Sequence, residues 1–128
     1  MDQDTNSITH AKFRMWLRPD GIVQIVWFPH TLVALADANA AVEGLAKVGG
    51  GKPRALLVDM RDTGAEDRAT RAAWTSRSDL QLATALIVGT PLSRVVGNLF
   101  INMSRPRIPT RLFHNEAAAV RWLLKFVH

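Results

Sequence analysis

Cysteine is absent from all 128 residues, which removes disulfides and thiolate chemistry together. A reducing compartment suits that absence, and a cytoplasmic location is expected. The sequence also lacks any apolar stretch approaching the ~18 residues of a membrane-spanning helix. Its first ten residues, MDQDTNSITH, have neither the basic start nor the apolar run of a secretory leader. Charged residues amount to only 21% against 48% hydrophobic ones, which excludes the disordered class. A chain of this length buries roughly two-thirds of the surface its unfolded form would expose. Residues 1–128 are therefore read as a single domain, with 1–9 expected to be flexible.

What charge there is sits unevenly. Residues 1–64 balance seven Lys or Arg against seven Asp or Glu, whereas residues 65–128 hold nine against four, so the net +5 belongs to the second half. Nucleic-acid binding calls for clustered cations interleaved with aromatics or set in a known motif. Arg94, Arg105, Arg107, Arg111, Arg121 and Lys125 are spaced out instead, and a nucleic-acid partner is not expected.

Local chemistry places the elements. Ala11, Phe13, Met15 and Leu17 alternate with polar neighbours, Pro19-Asp20-Gly21 supplies a turn, and Ile22 to Phe28 resumes the apolar run, which together predict a β-hairpin ended by Pro29. From about Ala34 to Val48, Leu35, Ala38, Val42 and Leu45 share one helical face, and Gly49-Gly50-Gly51 stops the helix. Arg54 to Met60 (RALLVDM) reads as a buried strand. A weak, small-sided helix is expected over about Ala65 to Ser76, and Ala83 to Val88 is the next strand. Thr90 as N-cap and Pro91 at the first helical position start a helix to Met103. The prolines of Ser104 to Pro109 force an extended connection, Thr110 to Phe113 is a short strand, and Asn115 caps a last helix running to about Val127. The order β-β-α-β-α-β-α-β-α predicts an α/β fold, a mostly parallel sheet of about five strands with helices packed against it.

The polar elbow after RALLVDM holds Asp59, Arg61, Asp62, Thr63 and Gly64, at the sheet end where α/β proteins carry their functional loops. Asp59 alone cannot perform acid-base chemistry without a second group, and the sequence offers none in an evident pairing. His10, His30, His114 and His128 are scattered, with no i,i+4 pair and no HExxH, and no serine lies in a GxSxG elbow. No catalytic, cofactor-binding or metal-ligating residue is assigned, no cofactor is expected, and the protein is read as non-enzymatic.

The element order, the segment ALLVDMRD, the strand-turn-helix ATALIVGTPLSRVVGNLF and the ending PTRLFHNEAAAVRWLL resemble the SpoIIAA-like fold of STAS domains over roughly residues 10–127. Similarity is greatest to uncharacterised bacterial members. The resemblance implies a regulatory, protein-interaction module related to anti-sigma factor antagonists. STAS domains carry an Asp-Ser-Ser-Gly helix start whose serine a partner kinase phosphorylates. Here the nearest equivalent is Asp62-Thr63-Gly64, one hydroxyl residue short and only three residues beyond Asp59, so the usual phosphoswitch is not expected.

Each candidate site has a plainer reading beside it. Thr63 at a helix start would accept a phosphate well, yet Thr63 or Asp62 acting as a cap is the preferred reading. Gly89 to Arg94 would cradle an anion with Arg94 closing on it, but it lacks the glycine spacing and lysine of a P-loop, and capping by Thr90 is preferred. Trp74 points away from the small-residue stripe of its helix, while Trp122 and Phe126 widen the apolar arc of the last helix beyond one face. Partner anchoring is set against cover by neighbouring loops. The expected partner or regulatory surface is Asp59, Asp62, Thr63, Trp74, Thr90 and Arg94, with Trp122 and Phe126 as a candidate surface for a homodimer. A second reading is a carrier of a small apolar ligand or lipid, with Phe100, Ile101 and the last helix lining its pocket.

Overall fold

Alternation in FRMWL and the buried run IVQIVW produce β2 (Phe13–Leu17) and β3 (Ile22–Trp27), paired antiparallel with Phe13 opposite Trp27 and Leu17 opposite Val23. Their turn closes through Arg18 N donating to the Ile22 carbonyl at 2.8 Å, and Gly21 takes φ 89°, a conformation that costs other residues a Cβ clash. The structure, a computed structural model, describes residues 7–61, 73, 77–89 and 108–127, and the element labels cover these. The helices expected over 65–76 and 91–103 lie outside the described residues, apart from the helical Ala73.

A three-residue strand β1 (Ser7–Thr9) pairs antiparallel with β2. This corrects the expectation of a flexible segment through residue 9: Ile8 lies opposite Met15 and packs against the core, which ties the strand down. Beyond β3 the chain makes helix α1 (Leu35–Val48) and strands β4 (Arg54–Asp59), β5 (Gln81–Ile87) and β6 (Thr110–Phe113), then helix α2 (Glu116–Leu123). Among the described residues the sheet has six strands in the order β1-β2-β3-β4-β5-β6, one more than expected, parallel from β3 to β6. Strand β5 starts two residues before the expected Ala83, because the 3-10 turn Ser78–Leu80 delivers Gln81 directly into the ladder. Gln81 and Thr84 are buried, and the Thr84 hydroxyl donates to Gln81 Oε1 at 2.7 Å, so neither side chain is left unsatisfied there.

Both faces of the sheet are covered, which the period-2 alternation of the strands requires. On one, Ala38, Ala41, Val42, Leu45 and Val48 of α1 meet Phe13, Met15, Val23, Ile25, Leu56, Val58 and Leu86. Leu35, expected on that helical face, is 42% exposed instead. At 100° per residue it lies roughly 80° from the middle of the buried row, and Val33 in the preceding loop takes the inward place. On the other face Ala119 and Leu123 of α2 sit on Ile22, Ala55, Leu57, Ala83, Ala85, Ile87 and Phe113. Three alanines on the strands let the helix approach closely. Asn115 starts α2 as expected, its Oδ1 accepting from Ala118 N at 2.8 Å. The last turn narrows to a 3-10 turn over Leu124–Phe126, so α2 itself ends at Leu123.

Candidate functional site

Parallel pairing brings the ends of β3, β4, β5 and β6 to one edge of the sheet. Asp59 closes β4 there, opposite Val26 of β3 and Ile87 of β5, and is 8% exposed. A carboxylate this buried requires partners. Arg61, two residues on, provides them: its Nε donates to Asp59 Oδ1 at 3.0 Å, its outer nitrogen to Oδ2 at 2.6 Å, and its backbone N to Oδ1 at 3.3 Å. The fork geometry folds the elbow back on its own strand. The carboxylate side chain keeps 11% of its surface in solvent and the guanidinium side chain 46%, so this end of β4 presents a cation outward.

Gly89, just past β5, is the seat for that arginine. A Cβ at Gly89 would stand 3.0 Å from both Cβ and Cγ of Arg61, so glycine lets the elbow rest against the β5 turn. The structure thereby brings together two regions that the sequence singled out separately, the elbow after β4 and the turn that begins at Gly89. Asp62, Thr63, Trp74, Thr90 and Arg94 lie outside the described residues.

A second buried carboxylate stands at the same edge, and the sequence reading missed it. Asp37, in the first turn of α1, accepts from Ala34 N at 2.9 Å and from Lys12 Nζ at 2.7 Å. It supplies the helix start with the acceptor that the N-cap residue, Ala34, cannot. Burial alone raises the carboxyl pKa, but the hydrogen bonds from Lys12 and Ala34 and the charges of Lys12 and His10 outweigh it and hold Asp37 below the ordinary carboxylate value. Lys12 Nζ also donates to the Leu32 carbonyl at 3.1 Å. Lys12 lies 25 residues from Asp37, so no local signal points to the pair.

Trp122 and Phe126 are half-buried and engaged within the chain. The Trp122 ring lies 5.6 Å from Phe113 and 5.1 Å from Phe126, and the Arg111 guanidinium sits 5.8 Å from its centroid. Among the described residues, a cation on β6 covers the Trp122 ring. Among the described residues no three metal-ligating side chains stand together, and no helix is long and apolar enough to cross a membrane.

The mixed sheet with helices on both faces defines a mixed α/β protein of the SpoIIAA-like fold. An uncharacterised protein of the DUF3478 family with a SpoIIAA-like fold, from Shewanella loihica PV-4, matches at a TM-score of 0.60 and 11% identity, covering 91% of this chain and 98% of that one. An anti-sigma factor antagonist from Mycobacterium paratuberculosis matches at 0.59 and 11%, again with 91% and 98% covered. A protein of unknown function from Arthrobacter sp. FB24 is 26% identical over 85% of this chain and 96% of its own, with a TM-score of 0.34. In sequence, residues 15–127 match the model of the family described as Domain of unknown function (DUF7793), and the chain belongs to that family. A comparison with curated proteins finds no match.

Proposed function

We propose that the chain is a non-enzymatic regulatory module that acts by protein-protein contact, through the sheet edge formed by the Asp59 elbow, the segment after it and the turn at Gly89. The observation that carries this reading is the Asp59–Arg61 pair seated on Gly89. Both carboxylate oxygens are engaged by the neighbouring arginine, so what reaches solvent is a half-exposed guanidinium, a group suited to a partner's carboxylate, and not a carboxylate facing a reacting atom. The fold shared with an anti-sigma factor antagonist supports a regulatory role. Asp62-Thr63-Gly64 is one hydroxyl short of the STAS phosphorylation motif, which supports working without the usual phosphoswitch. Intact-mass analysis after incubation with candidate kinases is expected to show no added phosphate on Thr63.

The test is capture from the native host with wild-type protein and with Arg61→Ala, Asp62→Ala and Trp74→Ala. Wild type is expected to retain a protein that the variants lose. If all three variants keep every partner, the surface is misassigned. A homodimer through Trp122 and Phe126 is a second element of the proposal, on the surface those half-buried rings leave open, and light scattering that finds only monomer at micromolar concentration overturns it. Of the lining that the apolar-carrier reading expects, Phe100 and Ile101 lie outside the described residues, and the inward residues Ala119 and Leu123 of the last helix are fully buried against the sheet.

A further inference from the structure

Among the described residues β6 is the last strand of the sheet, and nothing pairs with its outer edge. Its pairing with β5 fixes which backbone groups face that edge. Thr84 N donates to the Pro109 carbonyl and Val88 N to the Phe113 carbonyl, both at 2.9 Å. A parallel ladder engages alternate residues, so Pro109, Arg111 and Phe113 turn their backbone towards β5, while Thr110 and Leu112 turn theirs outward. N–H and C=O groups left in a row along an edge are a template for another strand. The opposite edge, β1, is three residues long, and with Ile8 packed on the α1 side it carries Ser7 and Thr9 on the other face.

Side chains say which strand fits. Arg111 and Phe113 stand on the α2 face of β6, one position either side of Leu112, whose half-buried side chain packs on the α1 face. The Arg111 guanidinium lies 5.3 Å from the Phe113 ring centroid and 5.8 Å from that of Trp122, and Phe126 continues the ring cluster from Trp122. Arg111 is exposed, and among the described residues no carboxylate pairs with it. We infer that β6 pairs antiparallel with β6 of a second copy about a two-fold axis at Leu112, joining the two sheets into one. Leu112 then exchanges both outward backbone hydrogen bonds with its own copy. On the α2 face each Arg111 lies directly opposite Phe113 of the other chain, so the lone cation of the strand meets a ring. Trp122, in contact with both Arg111 and Phe113, stands level with the axis. An axis at Arg111 sets the two cations against each other, and an axis at Thr110 sets each Arg111 opposite Pro109 and away from the rings. An unrelated strand has to bring its own group for Arg111, whereas the copy brings Phe113 in register. This pairing rests on reading Trp122 and Phe126 as a homodimer surface, and it names the strand that aligns the two copies.

The chain has no cysteine, so a thiol introduced by mutation is the only one present. On the axis Leu112 and its copy have Cα atoms about 5.5 Å apart, within reach of a disulfide. Arg111 and its copy are offset by two residues along the strands and stand roughly 8 Å apart, beyond that reach. Full-length Leu112→Cys, oxidised at micromolar concentration, is expected to form the disulfide-linked dimer about tenfold more than Arg111→Cys or Thr110→Cys, although Arg111 is the more exposed site. The unmutated chain supplies a second measurement that does not depend on how the variants fold. Exchange of the Leu112 amide hydrogen is expected to slow about tenfold between dilute and concentrated protein, as its outward N–H gains a partner. A dimer by light scattering whose Leu112→Cys stays unlinked and whose Leu112 amide exchanges at an unchanged rate overturns the inference and leaves the Trp122 and Phe126 surface standing. Preferred linking through Arg111→Cys or Thr110→Cys overturns it as well, since the axis then lies elsewhere. Monomer at every concentration overturns both the pairing and the homodimer surface.

Discussion

Asp37 and Asp59 are two versions of one device at one edge of the sheet. Each is a carboxylate buried to about a tenth of its side-chain surface under a more exposed cation, with one backbone amide among its donors. They differ in reach. Asp37 draws its cation from 25 residues away and ties the β1–β2 connector, the loop at Leu32 and the start of α1 into one unit. Asp59 draws its cation from Arg61, two residues on, and holds the elbow to the end of its own strand. A long-range pair is part of the fold, whereas a local pair shapes a loop and leaves the fold standing without it. The second is therefore the better place for a surface that must meet partners.

The largest effect expected to separate the two is the response to alanine. Asp37→Ala removes the acceptor at the start of α1 and the anchor of Lys12, and should cost about 2 kcal/mol, lowering the melting temperature by roughly 5–10 °C. Asp59→Ala should cost about half as much, because the pair is local and its guanidinium is half-exposed to screening solvent. Equal losses in urea denaturation would break the distinction. Next comes Gly89→Ala, which pushes a methyl against Arg61 at 3.0 Å and should cost about 1 kcal/mol while displacing the elbow. Gly50→Ala is the control: Gly50 has φ 69° and a methyl added there would meet nothing within 4 Å, so about the same loss arises from backbone strain alone. Only Gly89→Ala should weaken capture of the partner.

Much of the scaffold for this comparison was readable in the sequence, and the parts that were not share a cause. The hairpin, the buried strand from Arg54, read one residue too long at Met60, the bounds of β6 and the cap at Asn115 follow from alternation, apolar runs and one polar side chain, all local signals. Strand β1 escaped because Ser7–Thr9 is too short to show a period and is held by its neighbour β2. Leu35 was placed inward because a helical wheel fixes relative angles and leaves the side that meets the sheet to tertiary packing. Lys12 was invisible as a partner, since the pair exists only once β2 stands beside the loop into α1. Arg61 was in plain view beside Asp59, yet two residues of opposite charge in a polar elbow pair or diverge with equal ease. The contact with Gly89 decides it, and that contact needs β4 and β5 to be neighbours.

Coupling within each pair should be smaller than the single losses. Double-mutant cycles with Lys12→Met and Asp37→Asn, and with Arg61→Met and Asp59→Asn, are expected to give about 0.5–1 kcal/mol each, falling with added salt because both cations reach solvent. A coupling well above that range in the Arg61 pair would make it part of the fold and erase the contrast with Asp37.

The smallest effect is a matter of pH, and its sign is fixed. Asp37 has a carboxyl pKa held below its ordinary value in the folded chain, so as pH falls the unfolded chain takes up the proton first. Its contribution is fully present above the unfolded value of about 3.9 and drains away as pH falls through the lower folded value. Asp37→Asn removes that slope, so the stability gap between wild type and variant should be constant near neutrality and narrow below about pH 4. Asp79 offers the contrast. The hydrogen bond from Arg77 lowers its pKa too, yet both side chains are exposed, at 44% for Arg77 and 65% for Asp79, and solvent screens the pair. Asp79→Asn should leave the acid limb where it was. A gap that widened for Asp37→Asn on acidification would mean that its carboxyl is held by burial more than by Lys12, and the long-range pair would lose its place as the structural member of the two.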